Sequence, residues 1–166
     1  ITRRGRFAAL TNFRDPRERK TDAPSRGTLV SDFLISEQAP REYLEDVASR
    51  AAQYKGFNLL AGDASGIFYV SSRGDGVQQL TPGIHGLSNH LLDTPWPQVE
   101  HGKARLQAVL ADEPSTEALL ELLQDRDPAA EAVLPDPAIG SEMARVLYPA
   151  RIVSPPYGTL ASPAAL

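Results

Sequence analysis

Between Pro40 and Ser72 the hydrophobic rhythm of the chain changes once, and that change restricts the folds open to it. Pro40 suits the first turn of a helix, where its missing N–H costs nothing. After it, Tyr43, Leu44, Val47, Ala48 and Ala51 recur at helical spacing, with Glu42, Glu45 and Asp46 on the other side. The pattern then gives way to two β-rich runs, Phe57-Asn58-Leu59-Leu60-Ala61-Gly62 and Ile67-Phe68-Tyr69-Val70-Ser71-Ser72. They flank Asp63-Ala64-Ser65-Gly66, so the pair reads as a hairpin closed by a Gly-containing turn. An amphipathic helix leads straight into antiparallel strands.

The remaining segments fit around this unit. Residues 6–12 form a short apolar run with a polar end, the mark of a buried strand. Asp15-Pro16 breaks it and a charged loop follows to Arg26. Leu29, Val30, Phe33 and Leu34 make one helical face over 28–34. Beyond a second turn, Gly74-Asp75-Gly76, residues 77–80 predict a third antiparallel strand, and 84–89 an extended or irregular stretch. Helices are predicted from Thr94 to about Ala111, over 116–124 with Ser115 as cap, and over 141–148. Residues 127–137 read as a surface loop, and 151–154 and 157–160 as strands. Helices on both sides of antiparallel strands predict a layered α+β domain.

Charge divides unevenly along the 166 residues. Residues 1–26 carry eight basic and three acidic side chains, whereas the rest carries nine basic and eighteen acidic ones. A basic arm on an acidic body raises nucleic-acid contact as a possibility. Phe7 and Phe13 are its only aromatic residues and no recognition module is present, so the segment reads as a solvated loop or an anion-facing rim. The apolar fraction of 42% is that of a globular domain. The long uncharged stretches, 76–92 and 152–166, contain Pro, Gly and His or Ser, and neither suits a bilayer. With no cysteine there is no disulfide framework, and a reducing cytoplasm suits the chain.

Several residue clusters invite chemistry. His85, His90 and His101 with Asp93 are metal-ligand types, but spacings of five and eleven put them on no common face, and no metal is expected. Ser88, His85 and Asp93 have the types of a nucleophile, base and orienter. They lie within one short stretch without a nucleophile elbow, and read as a polar loop bonded to its own backbone. Arg73-Gly74-Asp75 is explained by a turn, and Gly62–Gly66 lacks the Lys and helix start of a phosphate loop; no cofactor is expected. Asn12 and Asn89 each end an apolar run, as Leu10-Thr11-Asn12 and Leu87-Ser88-Asn89. A strand-end amide can donate to a developing oxyanion without carrying charge.

These segments resemble the Asn-Arg-Asp-Glu (NRDE) family, also called the transport and Golgi organisation protein 2 family. The resemblance runs through residues 5–16, with Leu10-Thr11-Asn12-Phe13-Arg14-Asp15-Pro16, then Ser25-Arg26-Gly27 and 30–34. It continues through Tyr54, Gly56-Phe57-Asn58-Leu59-Leu60 and Gly62-Asp63. Its longest stretch is Pro82-Gly83-Ile84-His85-Gly86-Leu87-Ser88-Asn89 with Leu92-Asp93-Thr94-Pro95-Trp96-Pro97. Tyr157-Gly158-Thr159 is a weaker fifth.

The resemblance implies a branch of the N-terminal-nucleophile (Ntn) hydrolases, and so a four-layer αββα sandwich with antiparallel sheets. It implies hydrolysis of a linear amide by an N-terminal Cys whose own α-amino group is the base. Asn12 and Asn89 would line the oxyanion site, and Arg14, His85, Ser88 and Trp96, within the matching stretches, would face the substrate. The Cys and the Asn-Arg-Asp-Glu motif stand upstream of these residues in the family pattern, so the expectation is one domain over 1–166, cut at both ends. Where the family pattern reads Tyr-Gly-Thr-Arg-Ser-Ser-Thr, this chain has Leu160 in the Arg position. The family's link to intracellular membrane organisation implies an alternative: a non-catalytic protein handling an apolar anion such as a lipid, an acyl-CoA or haem.

Overall fold

The computed structural model describes residues 1–15, 17–111, 114–124, 153–154 and 157–158. The chain divides into two compact units: Ile1–Gly83 with Leu87–Leu92, and Ile84–Gly86 with the residues from Asp93 onward.

In the first unit, strand β1 (Phe7–Asn12) is followed by helices α1 (Gly27–Ile35) and α2 (Pro40–Ser49) and a 3-10 turn, Ala51–Gln53. Strands β2 (Phe57–Asp63), β3 (Gly66–Ser71) and β4 (Gln78–Gln79) complete an antiparallel sheet in the order β1-β2-β3-β4. Phe7 pairs with Gly62 and Asn12 with Phe57, so the end of β1 lies beside the start of β2. Alternation along the strands sends Phe57, Leu59 and Ala61, with Phe68 and Val70, to one face, where they join Leu29, Phe33, Tyr43, Leu44 and Val47 of the two helices. Burying each large apolar side chain of this set contributes about 1.5–3 kcal/mol. Tyr43, one of them, donates its hydroxyl to Leu29 O at 2.8 Å, which satisfies the one polar atom it brings into the core.

Arg6, just ahead of β1, closes the far end of α1. Its guanidinium donates to Phe33 O (3.1 Å) and Gln38 O (3.0 Å) and lies 4.0 Å over the Phe33 ring. The hairpin is tighter than its sequence predicts. Asp63 pairs with Gly66 across a two-residue loop, and Asp63 Oδ1 accepts from both Ser65 N (2.8 Å) and Ser65 Oγ (2.6 Å). Gly66 adopts φ +135°, open to glycine alone. The third strand is shorter than predicted: only Gln78 and Gln79 pair, although Leu80 N still reaches Ile67 O at 2.8 Å.

In the second unit, α3 (Pro97–Ala111) starts three residues later than predicted from Thr94. The Trp96 carbonyl already accepts from Val99 N (2.8 Å) and Glu100 N (3.0 Å), so Pro97 stands first in the helix. Helix α4 (Thr116–Leu123) is capped as expected, Ser115 Oγ accepting from Ala118 N at 3.0 Å. A short antiparallel pair, β5 (Val153–Ser154) and β6 (Tyr157–Gly158), follows. The predicted loop at 127–137 and helix at 141–148 lie outside the described residues, as does Leu160. The class is α+β: among the described residues there are four α-helices and a four-stranded antiparallel sheet with two of the helices packed on one face. Among the described residues, no helix is long and apolar enough to cross a membrane.

Candidate functional site

The sheet face turned away from α1 and α2 carries Ala9, Leu60 and Ile67 and, toward one end, a group of polar side chains. Thr11, Asn58 and Tyr69 stand on it, from three neighbouring strands, and the segment Leu87–Leu92 of the same unit runs across them. Thr11 Oγ1 donates to Ser88 O (2.8 Å) and Asn58 Nδ2 donates to His90 O (2.8 Å). Leu92 N donates to the Tyr69 hydroxyl (3.1 Å). Tyr69 donates in turn to Asn58 Oδ1 (2.9 Å), and Asn58 Nδ2 also reaches Thr11 Oγ1 (3.1 Å). Asn58 is wholly buried, and each polar atom of its carboxamide is satisfied. Burial raises the pKa of the Tyr69 hydroxyl and outweighs the Leu92 amide and Ser71, which favour the ionised form. The shift favours the protonated hydroxyl, the form that donates to Asn58.

This seating brings the two asparagines together. Asn89 Nδ2 donates to Asn12 O at 2.9 Å, and Asn89 O accepts from Arg14 N at 2.8 Å. Asn12 is the last residue of β1, as its sequence predicts. Asn89 does not end a strand. The flanking Ser88 and His90 carbonyls accept from side chains of the sheet, and residues 87–92 run as an irregular strip. Arg14 and Ser88 join this group through their backbones, and the Phe13 and His90 rings lie 5.1 Å apart beside it.

Asn12 also lines a groove of about 340 Å³ with Thr21, Ser25, Arg26 and Lys55, over Leu10. The basic segment that forms one wall is not simply a solvated loop. Lys20 Nζ donates to Ala52 O (2.6 Å) and Tyr54 O (2.7 Å), and Arg26 Nη1 to Gly56 O (2.7 Å). Glu18 accepts from Gly56 N, and Arg73 sits 3.5 Å from Asp15 and 3.6 Å from Glu18. That ion pairing accounts for Arg73, while Gly74 N donates to Ser71 O in the expected turn.

In the second unit, His85 and Asp93 form a local cluster. Asp93 adopts φ 54°, a left-handed conformation uncommon outside glycine. Its carboxylate accepts from Gly86 N (2.9 Å), lies 2.7 Å from His85 Nδ1 and takes Lys103 Nζ at 3.2 Å. Burial works to raise the Asp93 pKa, but the His85 bond, the Gly86 amide and Lys103 outweigh it and hold the carboxyl below its ordinary value. Asp93 N returns a bond to Gly86 O at 2.8 Å, so this is the polar loop its sequence predicts. Trp96 stands at the start of α3. Of the residues matched to the family, the structure thus groups Asn12, Arg14, Ser88 and Asn89 in the first unit, and places His85 and Trp96 in the second. Among the described residues no three His, Asp or Glu side chains gather as metal ligands would.

Comparison with known proteins decides the relationship. The family pattern described as Transport and Golgi organisation 2 matches residues 1–165. The chain belongs to the Transport and Golgi organisation 2 family. The mouse (Mus musculus) Transport and Golgi organization 2 homolog is 40% identical over 157 residues, covering 90% of this chain and 56% of the mouse protein. The cattle (Bos taurus) homolog is 41% identical over 177 aligned residues, covering 98% and 64%. The human (Homo sapiens) homolog is 38% identical over 161, covering 90% and 56%. The chain therefore spans between just over half and just under two thirds of the length of the Transport and Golgi organisation 2 relatives it matches.

Sequence reasoning missed Thr11, Asn58 and Tyr69. One signal was available: Asn58 interrupts an otherwise apolar strand, and a buried carboxamide requires partners.

Proposed function

We propose that this Transport and Golgi organisation 2 chain contributes the oxyanion side of an Ntn-type amidohydrolase acting on a linear, non-peptide amide of a small molecule. The observation that carries this reading is the contact between Asn89 Nδ2 and Asn12 O, which joins residues 77 positions apart. In the proposed reaction the thiol of an N-terminal Cys, supplied from outside these residues, adds to the amide carbonyl carbon and its proton passes to the α-amino group. The carbonyl electron pair moves onto oxygen. Carboxamide N–H groups of Asn12 and Asn89 then bond to that oxyanion, the Asn89 group being oriented by its second N–H on Asn12 O. Collapse releases the amine with a proton, and water hydrolyses the acyl-thioester. The four-layer αββα sandwich belongs to the same proposal, with the sheet of the first unit as one of its two sheets.

Removing one preorganised oxyanion donor lowers turnover about 100–1,000-fold. Asn12→Ala and Asn89→Ala in the full-length protein are expected to lower amide kcat by that order with little change in KM. Undiminished turnover in both variants refutes the assignment. A second reading, non-catalytic handling of a lipid, acyl-CoA or haem, is favoured by Leu160 at the position where the family pattern carries Arg. Haem or acyl-CoA binding to a full-length protein without amide turnover decides for it.

A further inference from the structure

We propose that the groove beside Asn12 recognises an oxyanion, the phosphoryl or carboxylate end of a small ligand, through Arg26 and Lys55. The inference deepens the amidohydrolase reading by naming a charge on its substrate, and it rests on that reading only for the turnover it does not measure.

Charge comes first. The charged side chains lining the groove are Arg26 and Lys55, both cations, in a chain whose formal net charge is −4. No carboxylate lines it among the described residues. Glu18, bonded to nearby Gly56 N, is offset by Arg73 at 3.6 Å and Lys20 at 4.0 Å, so it does not cancel the field of the groove. Lys55 is exposed and makes no ion pair among the described residues, which leaves its ammonium for a ligand.

Preorganisation comes second. Arg26 spends one N–H on Gly56 O at 2.7 Å, and that carbonyl also accepts from Phe13 N at 3.0 Å. The guanidinium is therefore braced by a fixed point of the backbone while keeping most of its five donors. A planar donor set held in this way suits a two-oxygen acceptor, which is the geometry a carboxylate and a phosphoryl group share. Asn12, Thr21 and Ser25 add neutral hydrogen-bonding groups, and Leu10, Ala23 and Pro24 add apolar wall. The volume of about 340 Å³ lies at the lower end for small-molecule sites, which suits one anionic group with a short tail. Position comes third. Asn12 belongs both to this wall and to the Asn12–Asn89 contact, so an oxyanion held by Arg26 and Lys55 would fix the ligand beside the amide donors.

The test is binding of inorganic phosphate and, separately, of butyrate to the full-length protein at constant ionic strength, followed by calorimetry and by backbone amide shifts. Saturable binding of either, with shifts concentrated at Asn12, Ser25, Gly27 and Lys55, is expected; which of the two binds distinguishes phosphoryl from carboxylate recognition. Lys55→Glu, on the surface, is expected to weaken that binding at least about tenfold. Arg26→Lys, which keeps the charge but not the fork, is expected to weaken it less. Binding of neither anion, shifts centred on Arg3 and Arg4, or Lys55→Glu binding as wild type overturns the proposal. Because no turnover is read, loss of the amidohydrolase reading would leave a positive result standing.

Discussion

Asp93 combines two departures from the ordinary state of its residue type. It holds a left-handed backbone and a carboxylate drawn below its ordinary pKa by His85, Gly86 N and Lys103 against the effect of burial. A folded-state pKa lowered in this way stabilises the fold fully above the unfolded value of about 3.9, and the contribution disappears as pH falls through the folded value. The stability difference between the native protein and Asp93→Asn is therefore expected to shrink as pH falls from about 5 toward 3. Urea titrations from pH 7 to pH 3 measure it; a difference that does not change with pH would show that the carboxylate charge is immaterial. Asp93 and His85 were legible as members of a polar loop because both are polar within a Gly-containing stretch. Asn12 was legible as a strand end. Asn58 was not, since nothing in a single run of residues announces that its partners are Thr11, 47 positions away, and a carbonyl at His90.

At the scale of elements, the periodic segments were readable and the boundaries set by particular bonds were not. Helix α2 and the hairpin β2–β3 follow from spacing alone, because each buries its own stripe or face. The start of α3 does not. Thr94 and Pro95 look like a helix opening, yet it is the Trp96 carbonyl that takes the N–H groups of Val99 and Glu100. The seating of α3 depends on Gly86, where a Cβ would come within 2.5 Å of Val99 Cγ1. Val99 is buried and β-branched, with little rotamer freedom to retreat. Gly86→Ala is expected to destabilise the protein by about 1–3 kcal/mol through overpacking. Combining it with Val99→Ala should recover part of that loss, so the two changes would not add. Additive costs in a double-mutant cycle would mean that the methyl groups do not meet.

For the molecule as a whole, the α+β class was legible from the order of helical and β-rich segments, and the family from motifs spread along nearly all the chain. The division into two units was not, because it depends on Leu87–Leu92 belonging with residues from which three second-unit residues separate it. That strip bonds to Thr11, Asn58 and Tyr69, and each such hydrogen bond contributes about 0.5–1.5 kcal/mol net. A chain cut after Gly83 is accordingly expected to be less stable to urea than one cut after Leu92, by about 2–4 kcal/mol. Equal midpoints and slopes would mean that the strip adds nothing to the sheet. The same connectivity bears on how such a protein can change over time. Because the backbone leaves the first unit after Gly83, comes back at Leu87 and leaves again after Leu92, no single junction separates the two. Recombination at one breakpoint cannot hand either unit intact to another gene, so the pair is inherited together or rebuilt together.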